Sequence, residues 1–150
     1  MNHYLTQFII LRHNKNSFTN RNPDCKVIAG AGKSVMTDND KGNLEIIPVG
    51  NISWELNLVK GDTIPSPQGW YSEEYNKAVP STAGIYTGNI RSDETAVWIL
   101  FPSEIDPAEV RSTIKERTEE GVRLIIEIRG EEKMEVFVPY EKSEKIIINN

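Results

Sequence analysis

The stretch Ile52-Ser-Trp-Glu-Leu-Asn-Leu-Val-Lys60 decides the class of this chain. Successive side chains of a strand point to opposite faces, so Ile52, Trp54, Leu56 and Leu58 fall on one side and Ser53, Glu55 and Asn57 on the other. The same period recurs along the chain. Apolar runs at Tyr4–Leu11, Lys26–Ala29, Asn43–Pro48, Ala83–Gly88, Thr95–Phe101, Arg123–Arg129 and Met134–Val138 read as strands, with Ile146–Ile148 as a last edge. Turn chemistry separates them at Ala29-Gly-Ala-Gly32, Asp38–Gly42, Gly50-Asn51, Lys60-Gly-Asp62 and Arg129-Gly-Glu131. Eight or nine short strands at this spacing predict an all-β protein, an antiparallel β-sandwich. No internal repeat or low-complexity tract interrupts the pattern.

One segment leaves two readings open. Asp106-Pro-Ala-Glu-Val-Arg-Ser-Thr-Ile-Lys-Glu-Arg-Thr-Glu-Glu-Gly121 begins as a helix does, with a capping Asp, Pro at the first helical position, and Gly at its close. Val110, Ser112 and Ile114 nevertheless alternate as a strand would. The segment is either a short helical turn at 107–109 followed by a strand, or a helix over 107–119.

A chain of 150 residues suits one domain, here 1–150, and buries roughly 68–70% of its surface on folding. Its net charge of -5 gives no footprint for nucleic acid or an anionic membrane. The single cysteine, Cys25, excludes an internal disulfide framework and a Cys-based zinc site, and reads as a half-buried thiol. The N-terminus lacks a basic region, and its apolar run is only Ile9–Leu11, so it predicts neither a secretory signal nor a membrane span. The expectation is a cytoplasmic protein, or a segment of a longer secreted or periplasmic one.

Gly30-Ala-Gly-Lys-Ser34 ends like a phosphate-binding loop, but Val27 stands where that loop needs its first glycine, and turn residues follow where a helix should. A glycine hairpin accounts for it better. Asp38-Asn-Asp-Lys-Gly42 alternates oxygen donors without the bidentate Glu of a calcium loop, and reads as a solvated turn. Asn51-Ile-Ser53 matches a glycosylation triplet at the start of a strand, and little weight falls on it. The two histidines, His3 and His13, would lie roughly 33 Å apart on one extended strand, too far to share a metal or a proton. No Ser-His-Asp set assembles. The expectation is no metal, no cofactor and no self-sufficient active site.

The aromatic residues divide into two groups. Trp54 and Trp98 sit inside alternating runs and read as core. Trp70, Tyr71 and Tyr75 lie outside them, in Gly69-Trp-Tyr-Ser-Glu-Glu-Tyr-Asn-Lys-Ala-Val-Pro80. Such rings either stack on sugar faces or pin a long loop to a sheet.

That stretch, with Thr87-Gly88 and Ala96-Val-Trp-Ile-Leu-Phe-Pro102, resembles the C-terminal part of heparinase II/III-type polysaccharide lyases. In that family a G-W-x-S-x-x-Y loop running to a proline precedes a strand with an aliphatic run and Pro. His3-Tyr4, Phe8 and Leu44-Glu-Ile-Ile-Pro48 are similar to other strands of the family, so the likeness spans roughly 3–102 and is densest at 69–102. The resemblance implies a large β-sandwich region joined, in the whole enzyme, to an α/α-toroid, and β-elimination on uronic-acid polysaccharides.

The family's catalytic Asn, Tyr and His surround a His-rich, Asp-containing motif on the toroid and early sandwich. No matching stretch occurs here, so no catalytic residue is carried over. The expectation is a non-catalytic module with structural or docking work, its partners an acidic polysaccharide or a catalytic lyase domain. The alternative is an independent carbohydrate-binding module that uses Trp70, Tyr71 and Tyr75 as a platform, with Lys77 or Arg91 meeting uronates. Trp70 and Tyr75 are expected to anchor the loop, each buried ring contributing on the order of 1.5–3 kcal/mol, with Tyr71 facing outward. Edges such as Ile146–Ile148 leave a homo-oligomer open.

Overall fold

The run Ala96-Val-Trp-Ile-Leu-Phe101 has no polar alternate, and the strand it builds is covered on both faces. A computed structural model describes residues 7–11, 15–19, 24–40, 42–91, 94–103, 110–129, 133–141 and 146–149. In it this strand is β10 (Ala96–Ser103). β10 lies between β1 (Gln7–Leu11) and β5 (Asn43–Val49), and the antiparallel sheet continues through β4 (Val35–Asp38) to β3 (Lys26–Ala29). Pro48 stands beyond the last rung that β5 shares with β4, at Ile46, where a missing N–H costs that side no ladder bond.

A second sheet runs β11 (Val110–Arg117), β12 (Gly121–Ile128), β13 (Met134–Pro139), β14 (Ile147–Asn149). A third places β9 (Thr82–Thr87) between β2 (Lys15–Thr19) and β6 (Glu55–Lys60). A two-stranded hairpin, β7 (Trp70–Glu74) with β8 (Lys77–Pro80), completes fourteen strands among the described residues. All pairings between them are antiparallel, and the helical content there is one 3-10 turn at Ala31–Lys33. The all-β antiparallel class is therefore as expected, with more strands than the period alone marks out.

β10 serves two cores because its alternate residues point opposite ways. Val97, Ile99 and Phe101 meet Val122, Leu124, Ile126 and Ile128 of β12, with Val136 and Val138 of β13. Ala96 and Trp98 instead meet Tyr86 of β9 together with Ile52 and Trp54. The five-stranded sheet is thus the middle of three layers. On its second face the rings of Trp54, Tyr86 and Trp98 form a triangle with centroids 5.1, 6.0 and 6.1 Å apart, tilted or edge-on as ring quadrupoles favour.

Several expectations change here. Val110–Arg117 is a strand, so the helix over 107–119 is not formed, while the turn at 107–109 lies outside the described residues, as do Tyr4 and His3. The strand prevails because Val110, Ser112 and Ile114 pair with Ile128, Ile126 and Leu124, an apolar partner that an isolated helix with two large apolar residues would not have. A bulge between Ile114 and Glu116 absorbs the irregular end. Val35–Asp38, which reads as turn, is a strand, and Lys15–Thr19 is a strand without an apolar period. Gly30–Ser34 does form the expected hairpin turn. Its Gly30 N–H donates to the Ser34 carbonyl at 2.8 Å, and Gly32 and Lys33 have positive φ.

Asn43 closes the turn after β4. Its Oδ1 accepts from the Asn39 N–H at 2.8 Å and the Thr37 hydroxyl at 3.1 Å, and its Nδ2 donates to the Asn39 carbonyl at 3.1 Å. Cys25 is fully rather than half buried, and its Sγ accepts from Asn39 Nδ2 at 2.9 Å.

Candidate functional site

The segment that reads as a loop at Gly69–Pro80 is a hairpin, and a glycine fixes where it starts. Gly69 has φ +68°, and its carbonyl accepts from both Gly61 N–H and Ser81 N–H at 2.8 Å. A Cβ there would lie 2.5 Å from the Val59 carbonyl oxygen and 2.8 Å from that of Ser81, so only glycine fits. Asp62 and Gln68 exchange two further backbone bonds at 3.0 and 2.9 Å, which closes the loop between β6 and β7 on itself.

On this base Trp70 acts as the expected anchor. Its indole N–H donates to the Asp62 carbonyl at 2.9 Å, and its ring lies beside Gly61, next to its cross-strand neighbour Pro80. Tyr71 pairs with Val79 on the opposite face, is half-buried, and donates its hydroxyl to Glu73 at 3.2 Å. Tyr75 does not anchor anything: it is 98% exposed. The reason is local. Tyr75 and Asn76 form the two-residue tip of the hairpin, Asn76 supplying the left-handed φ of +65°, and a tip side chain projects away from the sheet.

Lys77 lies next to the tip, in an ion pair with Glu74 across the hairpin. Arg91 is not brought to this group. It lies beyond the far end of β9, a strand about 17 Å long, and pairs there with Glu94 at 3.0 Å. The structure therefore gathers Trp70, Tyr71, Tyr75 and Lys77 on one hairpin and leaves Arg91 elsewhere. The exposed Ile64 and Val79 join the same region, though the period-two pattern gave neither a role. Glu73, Glu74 and Asp62 make its charge mainly acidic, with Lys77 already paired.

Away from the hairpin, burial raises the pKa of two groups, Tyr86 and Glu45. Burial pushes the Tyr86 phenol far up, with the Glu45 carboxylate adding to it, and the hydroxyl donates to the Lys33 carbonyl at 2.7 Å. It stays protonated at neutral pH and serves the core. Burial also raises Glu45, against a lowering hydrogen bond with Ser34. On the outer face of β12 and β13, Arg123 bonds Glu116 at 2.8 Å and Glu135 at 3.1 Å and lies 5.2 Å over the Phe137 ring, while Lys115 pairs with Glu135. Among the described residues no cluster of His, Cys, Asp and Glu is arranged to hold a metal ion. His3 and His13 lie outside them.

No protein-family profile matches the chain, and no curated protein matches it in sequence. Its fold is similar to that in the crystal structure of a mutant of the heparan sulfate lyase HepC from Pedobacter heparinus, with a TM-score of 0.65 and 18% identity. The match covers 87% of this chain and 20% of that one, so the chain spans about a fifth of the lyase's length and shares its fold there at a distant relationship.

Proposed function

We propose that this chain is a non-catalytic β module of a heparinase-type polysaccharide lyase system, supporting or docking a catalytic partner that cleaves uronic-acid polysaccharides. One observation carries the reading: nearly all of the chain superposes on a fifth of a heparan sulfate lyase. β-Elimination needs a group to neutralise the uronate carboxylate, a base for the adjacent proton and an acid for the leaving oxygen. Tyr86 is the most deeply buried tyrosine among the described residues and is committed to the Lys33 carbonyl, so it supports packing rather than proton transfer.

Incubating the purified chain with heparan sulfate, heparin and alginate while following absorbance of unsaturated uronate tests this. No product is expected, and sustained product formation that survives repurification would overturn the reading. The second reading, an independent glycan-binding module, draws on the fully exposed Tyr75 beside Tyr71 and Lys77. Calorimetric uptake of a glycan that disappears in Tyr75→Ala and Tyr71→Ala, with unchanged melting, would favour it. The acidic surroundings of the hairpin weigh against an anionic ligand there.

A further inference from the structure

The β11–β14 sheet has two edges of opposite character. The β11 edge carries Arg111, Lys115, Glu116 and Arg117 and is bulged at Lys115, the devices that keep a foreign strand from adding to a sheet. The β14 edge carries none of them. Ile147–Asn149 pairs with β13 on one side through Ile147–Phe137, Ile148–Val136 and Asn149–Glu135, and among the described residues no strand pairs with its other side. Ile146, Ile147 and Ile148 are 45, 52 and 57% exposed, and no charged residue, proline or glycine lies from Ile146 to Asn149.

We propose that this edge pairs with the same edge of a second copy of the chain, antiparallel about a two-fold axis, joining two four-stranded sheets into one of eight strands. Three features of the segment select a second copy as the occupant. Antiparallel pairing centred on Ile147 sets Ile146 opposite Ile148 and Ile147 opposite its own copy, so the three isoleucines of each chain meet, and Asn149 falls opposite Lys145 with no like charges paired. Two chains of net charge -5 repel, and this uncharged stretch is where they approach without placing like charges opposite each other. Ile147 also continues an apolar stripe through its half-buried neighbour Phe137, which widens the contact beyond the backbone row. A contact of this length buries less than the roughly 1,200 Å² of a standard stable interface, so the dimer is weak and concentration-dependent.

Sedimentation velocity of the full chain from micromolar to millimolar concentration tests the proposal. The weight-average mass is expected to climb from 17.0 kDa towards twice that value. Ile147→Lys should weaken self-association at least tenfold with an unchanged melting temperature. Ile64→Lys, at another exposed isoleucine, should leave it as it was. Hydrogen exchange gives a second readout independent of the variants: β14 amide protection should rise with concentration while that of β11 stays constant. A mass of 17.0 kDa throughout, equal loss in both variants, or β14 protection that ignores concentration would each overturn the pairing.

Discussion

The buried Trp98 and the half-buried Glu45 show how differently single residues of one sheet can act. Trp98 has no exposed surface and closes the aromatic triangle, so Trp98→Ala removes ring contacts and leaves a cavity. A loss of about 3–5 kcal/mol in denaturant unfolding is expected. Glu45 acts through its charge. Burial raises its folded-state pKa above the ordinary 4.5, so the stability it contributes is fully present below that value and is lost as pH rises through the raised pKa. Glu45→Gln should therefore raise the melting temperature at pH 7 and have little effect near pH 4; equal effects at both would count against a carboxylate desolvated by partial burial. Tyr86 has the same sign at the alkaline end. Its raised phenol pKa means that stability falls as pH climbs above about 10, a decline that Tyr86→Phe should remove at the cost of about 1 kcal/mol for the lost bond to Lys33. Sequence placed Trp98 in the core but gave no sign of Glu45, because a Glu on an alternating strand looks solvent-facing until the layer above it is known.

At the scale of an element, the β7–β8 hairpin hangs on two backbone positions. Gly69→Ala would drive a Cβ into the carbonyl oxygens of Val59 in β6 and of Ser81 between β8 and β9, and a loss above about 3 kcal/mol is expected, with the hairpin amides losing exchange protection. Asn76 takes the left-handed conformation at moderate cost. Asn76→Gly should leave thermal stability within about 0.5 kcal/mol of the parent, and Asn76→Val should lower it by about 1–2 kcal/mol. The rings of this element were legible as a group, yet their roles were not. Trp70 anchors and Tyr75 projects because of where the turn falls, and the turn falls at Tyr75-Asn76 because Glu74 pairs with Lys77. The strand at Val110–Arg117 teaches the same lesson, its capping signals being outweighed by pairing with β12, the strand that follows it.

At the scale of the molecule, three layers make two cores that share only the middle sheet. Leu124→Ala opens the first core and Ile52→Ala the second, each at about 2–5 kcal/mol. Their effects should add within about 0.5 kcal/mol in the double variant, because the side chains lie on opposite faces of β10 and share no contacts. Coupling well beyond that would mean that the layers do not behave as separate cores. The fold resemblance belongs to this scale too: what matches a lyase is the stacked β architecture, while the chemistry of any site must be argued from its own residues.

Sequence by itself determined the strand character, most strand positions and the two buried tryptophans, since period-two alternation and turn residues are local properties that need no partner to be read. It also grouped the hairpin aromatics with Lys77. The tertiary structure alone decided that β10 has a core on each side, that Val110–Arg117 is extended, that Tyr75 faces water and that Arg91 stands apart. The cores of β10 and the place of Arg91 depend on which distant strands arrive beside them, set by the summed burial of the whole chain, whereas Val110–Arg117 and Tyr75 are fixed by pairing with the strand that follows each, which a single run does not reveal.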